Sequence, residues 1–236
     1  MRALLLILPL LMLFGCSGKE LQQIGYAPLT EEEVTQALKD ALSRGIARSA
    51  ASAAQTDGYF GNPQLKIKLP EDAEKLENTL RKLGFGGEID RSVLQLNRAA
   101  EKAAASAKPV FIKAITAMSI DDAFDLLNGE ADAATSYLSD ESRDELYQQF
   151  RPIVSEALAE TSATRYYGDI VNRYNALPLV FDVDPDLDNY VTEKAIDGLF
   201  LLMAQEEARI RSIASSRSTR LMKRVFGSLD QVSLDE

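Results

Sequence analysis

The sequence predicts an all-α protein, a single bundle of roughly eight helices with at most one short β-hairpin. Apolar residues recur at intervals of three and four over most of the 236 residues, which is the period of a helix with one buried face. Clusters of Gly, Pro, Asn and Asp separate these stretches, as expected for short connections between helices. Residues 65–69 depart from this period, because they alternate apolar and basic side chains in the manner of a strand.

Residues 1–15 have the features of a bacterial signal peptide. Arg2 is followed by an apolar stretch over residues 3–14, which is shorter than the roughly 20 apolar residues of a membrane-spanning helix. The stretch ends in Leu-Phe-Gly-Cys, which resembles the lipobox of bacterial lipoproteins. The resemblance implies that Cys16 carries a diacylglycerol on its sulfur and that residues 1–15 are removed. The alternative is an ordinary secretory signal in which Cys16 is incidental.

Residues 16–29 are predicted to form a lipidated tether between the membrane and the folded domain. Two or more acyl chains make such an anchor stable. Ser17 follows the cysteine, at a position where resemblance to envelope lipoproteins associates Asp with retention in the inner membrane. The sequence therefore predicts a lipid-anchored protein of the cell envelope, on the outer membrane and facing the periplasm.

The predicted helical domain covers residues 30–227. Its first helix starts at Thr30, whose spacing to Glu33 matches a capping box. A turn-rich break at residues 56–63 separates this helix from the candidate strand at residues 65–69. Further helices are predicted at residues 71–83 and 88–107, with a turn at residues 85–87 between them, and Pro109 opens the next helix.

Turn signals also divide the second half of the domain into helices. Ser119 and Asp122 have the spacing of a capping box before a short helix. Pro152 lies inside a long apolar pattern, where a proline kinks or starts a helix. The predicted helices cover residues 123–128, 140–161, 164–177, 188–213 and 216–226, and the acidic residues 228–236 are expected to form a loose tail.

The composition excludes several classes of chemistry. The chain has no His and one Cys, so it lacks His-dependent nucleophile pairs, His-bound zinc or haem, and disulfides. Its net charge of −10 disfavours nucleic-acid binding, which needs a positive surface. We therefore expect a protein that is not an enzyme, holds no cofactor and binds no nucleic acid.

One acidic segment has the carboxylate spacing of a helix-flanked calcium loop. Leu187 stands where such a loop has glycine, and Pro185 stiffens the backbone. Calcium binding is thus one hypothesis, and the alternative is a solvated loop in which Asp188 caps the next helix. The candidate ligands are Asp182, Asp184, Asp186, Asp188 and Glu193.

Five aromatic residues are candidates for lining a groove that binds an apolar ligand. They are Tyr59 and Phe60 in the Gly-rich break, and Tyr166, Tyr167 and Tyr174 on one predicted helix. The three helical tyrosines lie near one face, because Tyr174 follows the other two by seven and eight residues. The alternative is that these rings pack in the core, with each hydroxyl bonded at its rim.

Two sets of charged residues offer further hypotheses. Neighbouring carboxylates suggest a hydrolase of envelope glycans, although adjacent helical residues point about 100° apart and do not converge. These neighbours are Glu206 with Glu207 and Asp121 with Asp122. A basic cluster either meets anionic lipid headgroups or, as we expect, complements the C-terminal dipole of its own helix. Its members are Arg217, Arg220, Lys223 and Arg224.

Several sequence blocks together resemble one bacterial family. The blocks are residues 57–63 (DGYFGNP), 97–104 (NRAAEKAA), 127–135 (LNGEADAAT), 174–178 (YNALP), 190–200 (YVTEKAIDGLF) and 225–227 (VFG). They resemble the uncharacterised bacterial lipoproteins designated domain-of-unknown-function family forty-one ninety-seven, over about residues 30–227. The resemblance implies a helical envelope lipoprotein, and it supplies neither a catalytic residue nor a substrate.

The predicted function is that of a lipid-anchored, non-enzymatic binding or scaffold domain in the envelope. Besides the membrane, its partner is an envelope protein or an apolar ligand, two alternatives that the sequence does not separate. Glycan hydrolysis by paired carboxylates and a calcium-responsive module stay open as alternatives.

Overall fold

The computed structural model of this chain describes most of the predicted domain. The described residues are 27–121, 123–178, 183 and 187–232. The predicted signal peptide, Cys16 and the tether as far as residue 26 lie outside the described residues. So do Asp122 and three of the five candidate calcium ligands, which are Asp182, Asp184 and Asp186.

The described residues are helical almost throughout and contain no strand, which confirms the predicted all-α fold. Two 3₁₀ turns, Glu71–Ala73 and Ala214–Ser216, precede the second and ninth helices. In chain order the helices are α1 (Glu31–Ala53), α2 (Glu74–Lys82), α3 (Gly86–Ala104), α4 (Ala107–Ala117), α5 (Ala123–Asn128), α6 (Ala133–Glu160), α7 (Ala163–Asn175), α8 (Asp188–Ser212) and α9 (Arg220–Val232).

One hydrophobic core joins all nine described helices. The most extensive contacts link α1 to α8, α8 to α6 and α6 to α3. The apolar stripes of these long helices therefore face one another, and the shorter helices cover the remaining sides. The largest fully buried rings are Tyr59, Phe111, Phe150, Tyr167 and Phe226.

The first helix begins as its sequence predicts. The Thr30 hydroxyl accepts the Glu33 backbone N–H at 3.2 Å, and the Glu33 carboxylate accepts the Thr30 N–H at 3.1 Å. This reciprocal pair satisfies two N–H groups that the helix leaves free at its start. The capping box is therefore confirmed.

Residues 65–69 keep the predicted alternation without belonging to a sheet. Leu65, Ile67 and Leu69 are buried, whereas the lysines between them are exposed. The buried Asn97 side chain takes the place of a neighbouring strand, because its Oδ1 accepts the Ile67 N–H at 2.9 Å and its Nδ2 donates to the Ile67 carbonyl at 2.7 Å. A single side chain on α3 thus satisfies the backbone at the centre of this segment.

Several helix boundaries differ from the prediction, including the start of α9 at Arg220 in place of residue 216 and the end of α3 at Ala104 in place of residue 107. Helix α3 starts at Gly86, so the glycines assigned to a turn form its first residues. Helix α6 starts at Ala133, seven residues before the predicted residue 140, and it continues through Pro152 instead of starting there. Helix α9 runs to Val232, so the tail predicted to be loose from residue 228 is helical for its first five residues.

Candidate functional site

An open groove of about 740 Å³ runs between the extended segment and α8. We call it the α8 groove. Residues 64–71 form one wall, and the other wall is formed by Tyr190, Lys194, Asp197, Gly198 and Leu201. Its volume falls within the range of ligand-binding clefts.

Buried contacts on both sides fix the shape of the α8 groove. Asn97 holds the Ile67 backbone, as described above, and the Tyr190 hydroxyl donates to the Lys68 carbonyl at 3.1 Å. Beneath the helical wall, the buried Tyr59 hydroxyl donates to the Ala195 carbonyl at 2.7 Å. The wall residues are therefore positioned before any partner binds.

Burial raises the pKa of the Tyr59 hydroxyl above its usual range, and the negative charges of Asp197 and Glu101 add to this effect. The hydroxyl is thus held neutral as a hydrogen-bond donor. The carboxylate of Glu101 also accepts the backbone N–H groups of Tyr59 and Phe60, at 3.2 and 3.1 Å. Tyr59 is therefore a structural residue that supports the groove from below.

The α8 groove is positively charged in a chain whose net charge is −10. Lys66, Lys68 and Lys194 line it with exposed side chains. Lys66 Nζ lies 4.0 Å from the centroid of the Phe60 ring. Within the described part of the chain, none of the three ammonium groups forms an ion pair with a carboxylate.

The carboxylates of this groove are weaker counter-charges. Asp197 accepts from Arg143 Nη2 at 2.6 Å, and the same nitrogen donates to Glu193 at 2.5 Å. Glu71 is exposed at the other wall. The lysines therefore dominate the charge that a bound molecule meets.

The structure gives no support for calcium at the residues it describes. Of the five candidate ligands, only Asp188 and Glu193 are described, and Glu193 is paired with Arg143. Leu187 is the N-cap residue of α8 and makes no side-chain cap hydrogen bond, so Asp188, the first residue of the helix, does not occupy the N-cap position predicted for it. Among the described residues no cluster of three metal-binding side chains occurs.

Three of the five aromatic candidates pack in the core, which was the alternative to an aromatic groove. Tyr59 and Tyr167 are fully buried, and Tyr174 is 4% exposed. Phe60 and Tyr166 are half-buried and lie beside cations: Phe60 beside Lys66, and Tyr166 beside Arg91 at 5.6 Å from its ring centroid. None of the five rings lines the α8 groove.

The neighbouring carboxylates Glu206 and Glu207 serve separate structural contacts. Glu206 is partly buried and pairs with Arg48 at 3.1 Å and with Arg209 at 3.3 Å. Glu207 is buried, pairs with Arg211 at 2.7 Å, and accepts the backbone N–H groups of Ala134 and Thr135 at 3.0 and 2.7 Å. The two side chains diverge as their spacing predicts, and Asp122 of the second pair lies outside the described residues.

A second groove, of about 670 Å³, lies where the described chain begins. We call it the α9 groove. It is lined by residues 27–29 and by Arg220, Lys223, Arg224, Gly227 and Ser228. Three members of the predicted basic cluster thus share one groove, and Arg217 is buried elsewhere.

The Arg217 side chain lies at the C-terminal end of a helix, but of α8 and not of the helix predicted to carry the basic cluster. Arg217 donates to the carbonyls of Ile210 and Arg211, at 2.9 and 2.7 Å, in the last turn of α8. The other three cations lie at the start of α9, because this helix begins at Arg220. The expectation that they complement the C-terminal dipole of their own helix is therefore wrong.

The sequence alone does not indicate that the three lysines of the α8 groove form one site. Lys66 and Lys68 were visible as the basic positions of an alternating segment, but Lys194 comes from a helix more than a hundred residues later. The contact between Tyr190 and Lys68 brings the two parts together. The polar face of α8 at Tyr190, Lys194 and Asp197 was a weak signal, since solvated helix faces have the same pattern.

The fold and groove define an all-α domain with a positively charged surface cleft. The chain belongs to the family of proteins of unknown function DUF4197, whose model matches residues 28–227. This result confirms the resemblance seen in the sequence blocks. No curated protein and no solved structure matches the chain. In the described part of the chain, every helix is too short or too polar to cross a bilayer.

Proposed function

We propose that this protein is a lipid-anchored binding domain of the cell envelope, attached through Cys16, whose α8 groove takes an extended acidic segment of a partner protein. The observation that carries the binding proposal is the set of three groove lysines without a carboxylate partner among the described residues. The anchor is supported by the apolar stretch at residues 3–14 and by the Leu-Phe-Gly-Cys motif whose last residue is Cys16. We propose no catalytic role.

The shape of the groove favours an acidic chain over an apolar ligand. Apolar ligands are held in enclosed, mostly hydrophobic pockets. This groove is open, and of its large aliphatic lining residues Leu201 is exposed, at 36%, whereas the leucines and isoleucine of the extended wall are buried. Lys66 and Lys68 alternate along an extended wall, so they match carboxylates at every second residue of a parallel segment. Such pairing gives electrostatic complementarity and recognition of an extended peptide.

Glycan hydrolysis is less well supported by this groove. Its two carboxylates, Glu71 and Asp197, are both exposed, and Asp197 accepts a hydrogen bond from Arg143. A general acid of a glycosidase needs a carboxyl group that its surroundings keep protonated. Neither carboxylate of this groove lies in a buried, apolar surrounding. Binding is therefore the function that the geometry supports better.

Peptide binding to the full-length protein tests the groove. We expect a fluorescent peptide of alternating Glu and Leu to bind, measured by anisotropy, and a Lys–Leu peptide not to bind. Replacing Lys66 and Lys194 together by Gln removes two exposed charge pairs and should weaken binding by about tenfold. The matched control replaces Lys82 and Lys108, exposed cations outside both grooves, by Gln. Equal binding of both peptides, or equal loss in the control, contradicts the proposal.

Intact mass spectrometry tests the anchor separately. We expect the protein purified from a bacterial envelope to begin at Cys16 and to carry the added mass of acyl chains. Cys16→Ala should then move the protein from the membrane fraction to the soluble fraction. An unmodified Cys16 in the processed protein contradicts the anchor and leaves the peptide result unaffected.

A further inference from the structure

The first turn of α9 has a charge distribution that the helix itself disfavours. Arg220 and Lys223 lie in this turn with exposed side chains, and the turn carries no acidic residue. Cations are unfavourable at the positive end of a helix dipole, where carboxylates are preferred. Among the described residues, neither Arg220 nor Lys223 forms an ion pair. The two charges therefore cost local stability and contribute nothing visible to the fold.

The third cation, Arg224, connects this turn to the point where the chain enters the domain. It pairs with Glu33 and donates to the carbonyls of Ala27 and Pro28, at 2.8 and 3.4 Å. Residues 27–29 consequently form one wall of the α9 groove. The exposed cations are thus held beside the first residues that follow the predicted tether.

We infer that the α9 groove docks the domain on the anionic phospholipid headgroups of the membrane to which the tether leads. This inference rests on the lipid anchor of the proposed function and concerns a surface separate from the α8 groove. A chain of net charge −10 is repelled by an anionic bilayer in most orientations. It approaches such a bilayer favourably when a positive surface faces the headgroups.

The tether brings the α9 groove within reach of the membrane. Ala27 follows Cys16 by eleven residues, which span at most about 40 Å when extended and about 20 Å as a flexible coil. A short flexible tether also holds headgroups at an effective concentration in the millimolar range. Each cation near an anionic surface strengthens association by about fivefold. Weak contacts of two or three cations are therefore sufficient to orient a tethered domain.

Reconstitution of the full chain with a fluorescent reporter tests the inference. Ser218, which is exposed beside the α9 groove, is replaced by Cys and labelled with the fluorophore. The native Cys16 is the chain's only cysteine, and its acylation prevents labelling there. The acylated protein is placed in phosphatidylcholine vesicles with or without one quarter phosphatidylglycerol. We expect quenching by bilayer-embedded nitroxide lipids in the anionic vesicles only, and its loss in 1 M salt, where charges are screened beyond about 3 Å.

Matched variants separate docking from general electrostatics. Replacing Arg220 and Lys223 together by Gln should lower the ratio of docked to undocked protein by about 25-fold. Replacing Lys82 and Lys108 by Gln makes the same change in net charge elsewhere and should leave the ratio unchanged. Equal quenching in neutral vesicles, or equal loss in both double variants, overturns the inference. The inference is also overturned if the α9 groove crosslinks to an acidic protein and anionic lipid causes no quenching.

Failure of the anchor is distinguishable from failure of docking. If the intact mass shows no acyl chains, Cys16 is first blocked by alkylation and the same chain is sedimented with the two kinds of vesicle. Binding to anionic vesicles that needs Arg220 and Lys223 still supports docking. No binding overturns it, because without an anchor the cations of the α9 groove would have to hold the domain on the membrane unaided. Peptide binding in the α8 groove is unaffected by either result.

Discussion

At the scale of single residues, the close approach of Tyr59 to Gly198 shows how the groove wall is built. The hydroxyl reaches the Ala195 carbonyl at 2.7 Å, and the ring lies against α8 where this helix has no side chain. A Cβ at Gly198 would lie 2.8 Å from Tyr59 Cε1 and 3.2 Å from its hydroxyl oxygen. Gly198 is therefore required by packing, although glycine lowers the helix propensity of its position.

Replacing two helical glycines, Gly198 and Gly168, by alanine should change the free energy of unfolding in opposite directions. Gly198→Ala forces the fully buried Tyr59 ring to move, so we expect a loss of about 1–3 kcal/mol in the free energy of unfolding. Gly168→Ala on α7 meets no atom within 4 Å and should raise that free energy by about 0.5–1 kcal/mol. Urea unfolding followed by circular dichroism measures both. Stabilisation by Gly198→Ala would contradict the packing described.

At the scale of helices, the start of α6 depends on a residue from another part of the chain. Its first turn leaves backbone N–H groups free, and the buried Glu207 carboxylate on α8 accepts those of Ala134 and Thr135. Arg211 neutralises the same carboxylate and donates to the carbonyls of Leu126 and Leu127. One ion pair on α8 thus joins the end of α5 to the beginning of α6.

Replacing Glu207 should destabilise the protein far more than replacing its neighbour. Glu207→Ala leaves Arg211 buried without its carboxylate and frees two N–H groups, so we expect a loss of about 3–5 kcal/mol. Glu206→Ala removes ion pairs with two partly exposed arginines, Arg48 and Arg209, and should cost about 1 kcal/mol. Chemical denaturation measures both variants. Equal losses would show that the α5–α6 junction does not depend on Glu207.

The junction between α5 and α6 also explains why some helix boundaries are predictable from the sequence and others are not. The start of α1 was predictable because the groups of its capping box are three residues apart. The start of α6 was placed seven residues late because its N–H groups are satisfied by Glu207, about seventy residues away in the chain. Period and composition report local signals, and a cap supplied by tertiary contact leaves none. The lysines of the α8 groove were likewise not predicted as one site, because a tertiary contact between distant parts of the chain brings them together.

At the scale of the whole molecule, α9 joins the two ends of the described chain. Its buried side chains Met222, Val225 and Phe226 enter the common core. On its surface, Arg224 pairs with Glu33 of α1, and Asp230 pairs with Arg217 at 2.5 Å. Two carboxylates therefore hold α9 against the remainder of the domain.

Acidification should loosen α9 before the rest of the protein. The Thr30 backbone N–H lowers the pKa of Glu33, with Arg224 contributing, and Arg217 lowers the pKa of Asp230. A lowered pKa in the folded state means that the stabilisation is complete above the unfolded-state values of 4.5 and 3.8. It is lost as the pH falls through the folded-state values. We expect faster hydrogen exchange of α9 than of α8 below pH 4.5.

Asp230→Asn separates this effect from general acid unfolding. It should lower the protection of α9 at neutral pH and reduce the further change on acidification. The control Asp90→Asn removes an exposed partner of Arg81 and should leave α9 exchange unchanged. Uniform loosening of all helices with falling pH would argue against a local role for the two carboxylates.

For the lipid-anchored protein proposed above, the contact of Arg224 with Ala27 and Pro28 has a mechanical consequence. Tension arriving along the tether meets the two carbonyls held by the guanidinium, so the load passes to α9 as well as to α1. Separating the entry residues from α9 then requires breaking the hydrogen bonds of Arg224 and its ion pair with Glu33, while the buried side chains of α9 keep this helix in the core. The α8 groove is formed by α8 and residues 64–71, which make none of the contacts of Arg224 that receive this load.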